Sequence, residues 1–262
     1  MYTFCKIKRS WNLNKQKGFI SPMDTHKREK KIIFLLSILC ILLMMALLFL
    51  LYRNNYFAVF KQMSSNSYDY KNNAQYTQRQ SLFEVAPQET ADLVFVGDSI
   101  TARGEWQEFF PAQKVLNRGI DSDVTEGVLN RLDVIINASP KQIFLMIGIN
   151  DIRQNIPQAT SLAHYEEIIK HLEEALPDTE LYIQSILPIG ANTGMSNKDV
   201  EAFNQELEKL ALEYNLTYVD LYSKFLDHTG FLPTSYSIDG VHLTGEGYTI
   251  WIDEIKKCQR MH

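Results

Sequence analysis

Four short stretches of this chain combine residue types that do acyl chemistry. Gly97-Asp98-Ser99 places a hydroxyl just beyond an apolar run, and Asp239-Gly240-Val241-His242 places a carboxylate three residues before an imidazole. Such an Asp can accept a hydrogen bond from one ring nitrogen and leave the other free to take a proton from a serine hydroxyl. Gly119, in Asn117-Arg118-Gly119-Ile120, offers a backbone N–H that no side chain obstructs. Asn150, in Gly148-Ile149-Asn150-Asp151, offers an amide. A tetrahedral oxyanion needs neutral, preorganised donors of this kind. Each stretch alone has a plainer reading: Ser99 as a helix cap, Asp239 in a turn, His242 as a loop histidine, Gly119 as a turn glycine, Asn150 as a cap. Their joint placement, at strand ends and ahead of a final helix, points to nucleophilic attack on an acyl carbon.

The elements that must position these groups alternate. Apolar, β-branched runs at Leu93–Val96, Lys114–Leu116, Gln142–Ile147, Glu180–Ile186 and Leu216–Val219 predict five strands. Helical periodicity falls between them, at 124–136, 161–175 and 198–214, with a last helix from Glu246 to Lys257. Asp123 or Thr125, Ser161 and Asn197 are candidate amino-terminal caps. Strands alternating with helices predict an α/β fold of three layers, a five-stranded parallel sheet covered on both faces. A serine at the carboxyl end of the first strand then stands where such sheets place their binding crevice.

The front of the chain is organised differently. Residues 1–31 carry nine Lys or Arg against two acids and read as a basic tail. Residues 32–52 hold no charge and only one internal polar group, Ser37, which predicts a transmembrane helix. Its bulky carboxyl flank argues for an uncleaved anchor over a signal peptide. Lys27, Arg28, Lys30 and Lys31 on its amino side predict a cytoplasmic tail and an extracellular domain. Residues 53–82, rich in Asn, Gln, Ser and Tyr, predict a polar linker, and 83–262 the catalytic domain. That domain carries thirteen basic against twenty-eight acidic residues, a balance that argues against nucleic acid as a partner. The cysteines Cys5, Cys40 and Cys258 fit no zinc spacing, and the histidines form no ligand cluster, so neither metal nor organic cofactor is expected.

Taken in order, Gly97-Asp98-Ser99, Gly119, Gly148-x-Asn150-Asp151 and Asp239-x-x-His242 resemble the four blocks of the SGNH (GDSL-type) esterase and lipase superfamily. The likeness runs from about 91 to 257. Asp98-Ser99-Ile100-Thr101, Glu105-Trp106, Asn117-Arg118-Gly119-Ile120 and Gly127-Val128-Leu129-Asn130-Arg131-Leu132 are most similar to the branch of carbohydrate O-acetyl esterases and platelet-activating-factor acetylhydrolase-like enzymes. The resemblance implies a flavodoxin-like fold. It implies Ser99 as nucleophile, His242 as general base and then acid, and Asp239 as the group orienting His242. The oxyanion hole would be the N–H groups of Ser99 and Gly119 with the Asn150 amide. Gly97, Asp98, Gly148 and Asp151 would support the motifs. One departure stands out: after Asn-Arg-Gly-Ile, related sequences commonly continue with glycines, and this chain has Asp121-Ser122-Asp123. Two carboxylates there would disfavour anionic substrates and stiffen the loop.

Three functions fit. The leading expectation is a membrane-anchored serine esterase removing small acyl groups, O-acetyl foremost, from cell-envelope carbohydrates. A lysophospholipase- or thioesterase-type lipid esterase is the alternative, though no long apolar insertion offers a lid. A catalytically silent binding module is third, and the intact set of reactive residues argues against it.

Overall fold

The computed structural model describes residues 22–53, 68–86 and 90–260. The described residues fall into two units, divided after residue 66. In the first, α1 runs Pro22–Arg53, and its apolar side chains from Ile32 to Met45 are exposed. The expected anchor at 32–52 falls within this helix, whose side chains are described over 30–46. Among the described residues no helix is long and apolar enough to cross a membrane. The expected basic tail up to residue 21, and the linker over 54–67, lie outside the described residues.

The second unit is a five-stranded sheet of order β2-β1-β3-β4-β5, parallel throughout. Its strands are β1 Leu93–Gly97, β2 Val115–Gly119, β3 Gln142–Met146, β4 Glu180–Gln184 and β5 Thr217–Val219. Helices on both faces complete the expected three-layer α/β architecture. β1 is buried along its whole length, as a central parallel strand must be. Phe95, Phe144 and Tyr182 stack in a row across β1, β3 and β4. Burial of such aromatic rows contributes roughly 1.5–3 kcal/mol per side chain. In this strand order the chain leaves β1 towards β2 on one side, and leaves β3 towards β4 on the other. That reversal opens a crevice at the carboxyl ends of the strands. Ser99 follows β1 and Asn150 follows β3, so the two flank it.

Two local expectations change. The helix expected over 124–136 is broken into Thr125–Leu129 and Asp133–Ile136. Arg131, in the break, turns inward and is fully buried, donating to Asp123 and to the Gly97 carbonyl. Residues 68–82, expected within the linker, instead fold against the domain. They make a 3-10 turn, Tyr70–Asn72, and a helix α2, Ala74–Val85, which Asn73 caps. Tyr70, Tyr76 and Phe83 are buried in the core.

Candidate active site

β1 ends at Gly97, and the next residue starts a turn. Asp98 accepts the Ile100 N–H at 2.9 Å and so caps a four-residue helix, α3, that begins at Ser99. The far end of α3 is held from the side. Asn117 Nδ2 donates to the carbonyls of Thr101, Ala102 and Gly104 at 3.1, 3.0 and 3.1 Å. Trp106 Nε1 donates to Thr101 at 2.8 Å and the Tyr248 hydroxyl to Ile100 at 2.6 Å. Trp106 itself stacks on Phe95 at 3.9 Å. The Ser99 hydroxyl is therefore carried on a segment with little freedom to move.

The final loop brings the imidazole to it. Ser99 Oγ lies 2.8 Å from His242 Nε2, and His242 Nδ1 lies 2.6 Å from Asp239 Oδ2. The other Asp239 oxygen accepts the N–H groups of His242 and Val241 at 2.8 and 2.9 Å and the Ser237 hydroxyl at 3.2 Å. Partial burial works to raise the Asp239 pKa. The bonds from the His242 ring and from the His242 and Val241 amides outweigh it and hold the carboxyl well below its usual range. The group facing Nδ1 is thus an anion, which fixes the tautomer that leaves Nε2 free to accept.

Asn150 sits in the helix after β3, Ile149–Arg153. Gly148 makes the approach: its φ is +131°, and a Cβ there would stand 2.8 Å from Ile186 and 3.0 Å from Phe203. Asn150 Nδ2 donates to the Asp123 carbonyl at 3.0 Å, leaving its second amide hydrogen for another acceptor. Asp151 is turned away, accepting the Thr125 hydroxyl at 2.6 Å and so anchoring the helix that starts there. Burial raises its pKa, against the pull of those bonds.

Gly119 is placed differently from the expectation. Its N–H is spent on Asn117 Oδ1 at 2.9 Å, so it is not a free donor. The glycine answers to packing instead, since a Cβ would collide with the Ala102 and Asp98 backbones. A free donor lies three residues past β2, at Ser122. Ile120 to Asp123 form a turn closed by an Asp123 N–H to Ile120 carbonyl bond of 3.2 Å. Ser122, at its third position, has φ +61°, where glycine is favoured. Among the described residues the Ser122 N–H has no partner, and the same turn is bonded to Asn150 through Asp123.

The two carboxylates of this turn are not bare. Asp121 pairs with Arg103 at 3.3 Å. Asp123 points inward to Arg131 at 2.9 Å, both side chains fully buried. Burial pushes Asp123 up to about 6, against the guanidinium's pull. Burial likewise pushes Asp98 up to about 7. His164 and His171, seven apart on one helix, bond to Thr125 Oγ1 at 3.2 Å and to the Glu167 carbonyl at 2.9 Å. Among the described residues no group of three or more His, Cys, Asp or Glu could hold a metal ion.

A hydroxyl, an imidazole and a carboxylate in one chain, with an amide beside the same crevice, can run acyl transfer. Comparison with known proteins meets this geometry: the GDSL-like Lipase/Acylhydrolase family model matches residues 95–250. The chain belongs to the GDSL-like lipase/acylhydrolase family. It is a carboxylic ester hydrolase. Platelet-activating factor acetylhydrolase IB subunit alpha2 of Rattus norvegicus is 29% identical over 181 residues, 65% of this chain and 74% of that protein. A solved structure from Streptococcus pneumonia, named for platelet activating factor, is 30% identical with TM-score 0.65. It covers 76% of this chain and 98% of its own. The acetyl xylan esterase AlAXEase shares the fold at 19% identity and TM-score 0.57, over 63% of this chain and 98% of its own. Ser99, Asn150, Asp239 and His242 of this acylhydrolase all fall inside the family match. The segment 68–86 precedes it.

Proposed function

We propose that this acylhydrolase is an extracytoplasmic serine esterase that removes small acyl groups, O-acetyl foremost, from cell-envelope carbohydrates. The observation that carries the chemistry is the unbroken chain Ser99 Oγ, His242, Asp239, at 2.8 and 2.6 Å. Ser99 attacks the ester carbonyl as His242 Nε2 takes its proton, and the new oxyanion is held by the N–H groups of Ser99 and Ser122 and the Asn150 amide. His242 returns the proton to the leaving alcohol. Water, activated by the same imidazole, then releases the acid from the acyl-enzyme. The uncharged apolar run 32–52, with Lys27, Arg28, Lys30 and Lys31 on its amino side, supports a single cytoplasm-to-outside anchor. An acetyl-sized preference is supported by the absence, among the described residues, of a long apolar insertion over the site.

A lipid ester is the second reading, favoured by the names of the platelet-activating-factor relatives. Acetate release from O-acetylated cell-wall glycan by the full chain, with Ser99→Ala beside it, tests the proposal. Release by the wild type alone supports it. Cleavage of p-nitrophenyl esters that rises with acyl length, with no glycan deacetylated, overturns the substrate class in favour of lipid.

A further inference from the structure

Three consecutive carbonyls of the turn after β2 each accept a side-chain hydrogen bond. Asp121 receives Asn73 Nδ2 at 2.8 Å, Ser122 receives the Tyr68 hydroxyl at 2.7 Å, and Asp123 receives Asn150 Nδ2 at 3.0 Å. Two of these three donors come from the segment ahead of the family match, the stretch whose composition reads as linker. A peptide unit is planar, so the carbonyl of one residue and the N–H of the next turn together. The bond from Asn73 to the Asp121 carbonyl therefore orients the Ser122 N–H. The bond from Tyr68 holds the following unit, against the φ of +61° that a serine does not favour. Accepting at the carbonyl also polarises the N–H at the other end of the unit.

We infer that Tyr68 and Asn73 are positioning residues for the oxyanion site: they hold the Asp121–Ser122–Asp123 turn with the Ser122 N–H directed beside the Asn150 amide. The inference rests on the serine-esterase reading above. It assigns to the segment ahead of the family match a role in turnover as well as in packing. The same segment supplies its own control. Tyr76 donates to the Gly127 carbonyl at 3.0 Å and is buried in the core, but touches no carbonyl of the turn. Asn73 also accepts the Gln75 N–H as the cap of α2, so Asn73→Asp deletes the donor and retains the cap.

The experiment is steady-state hydrolysis of p-nitrophenyl acetate by the full chain and by Tyr68→Phe, Asn73→Asp and Tyr76→Phe. Thermal melting and inhibition by a small boronic acid, a mimic of the tetrahedral adduct, are measured in parallel. Tyr68→Phe and Asn73→Asp are expected to lower kcat by about 3- to 10-fold with KM nearly unchanged, and to weaken the boronic acid by the same factor. Tyr76→Phe is expected to lower the melting temperature and leave kcat at the wild-type value. If all three variants shift melting alike and none lowers kcat, the segment only packs and the inference fails. If Ser99→Ala hydrolyses the ester as fast as wild type, the serine-esterase reading fails instead, which separates the two.

Discussion

Replacing Asp239 by Asn tests the orienting role with little structural change. An asparagine in the same rotamer retains an oxygen at the Oδ1 position. The bonds from the His242 and Val241 amides and from Ser237 therefore survive, and the loop stays in place. What changes is the atom facing His242 Nδ1 at 2.6 Å. An NH2 there donates where the carboxylate accepted, so the ring carries its proton on Nε2 and has nothing with which to take the Ser99 proton. The corresponding change in triad hydrolases lowers kcat about 10⁴-fold, or ~5.5 kcal/mol of barrier. The Asp239 side chain is 55% exposed, and water screens part of its effect on the imidazolium. The expected loss is thus about 10³–10⁴-fold. The assay is kcat on p-nitrophenyl acetate together with the melting temperature. A loss below about tenfold, in a variant that melts like wild type, would refute the tautomer argument.

Other perturbations follow from the same geometry. Asn150→Ala removes one oxyanion donor and is expected to lower kcat about 10²–10³-fold, read by single-substrate kinetics. Arg131→Leu strands the Asp123 carboxylate in the core and is expected to cost about 3–5 kcal/mol by denaturant titration. The cost should be smaller at pH 5 than at pH 8, because burial raises the Asp123 pKa to about 6 even beside the guanidinium, and the carboxyl is protonated below that. Asp98, raised to about 7 by burial, binds a proton in the folded state that the unfolded chain has released above about pH 4. Its contribution to stability is therefore full below pH 4 and lost as pH rises through 7. Asp98→Asn, which preserves the cap to Ile100, should flatten that part of a stability–pH profile.

Much of this site is legible in the sequence because its chemistry sits where regular elements end. The apolar runs at 93–96 and 142–147 mark β1 and β3 within a residue or two, and Ser99 and Asn150 follow from where those runs stop. The oxyanion turn is harder to read. A glycine at a strand end suggests an open N–H, yet Asn117, two residues earlier, claims that of Gly119, and the missing Cβ serves packing against α3. An N–H left unpaired in the same turn belongs to Ser122, a serine in a left-handed conformation, which only the closure of the Ile120–Asp123 turn reveals. Residues 68–82 read as linker because few of them are apolar and they show no helical stripe. Their folding rests on Tyr70, Tyr76 and Phe83, with hydroxyl and amide groups reaching backbone carbonyls. Asn73 ahead of Ala74 is the one local sign of a helix start. The break at Arg131 is likewise a tertiary effect, since the buried Asp123 carboxylate and the Gly97 carbonyl are what make an inward guanidinium favourable.

The central claim is that Ser99 carries the acyl group between substrate and water. Its most direct test is mass spectrometry of the full chain, quenched in acid moments after mixing with p-nitrophenyl acetate. One acetyl group is expected on the peptide that carries Ser99, and none on that peptide in Ser99→Ala. Acetyl found only on other residues, or undiminished turnover by Ser99→Ala, would contradict it.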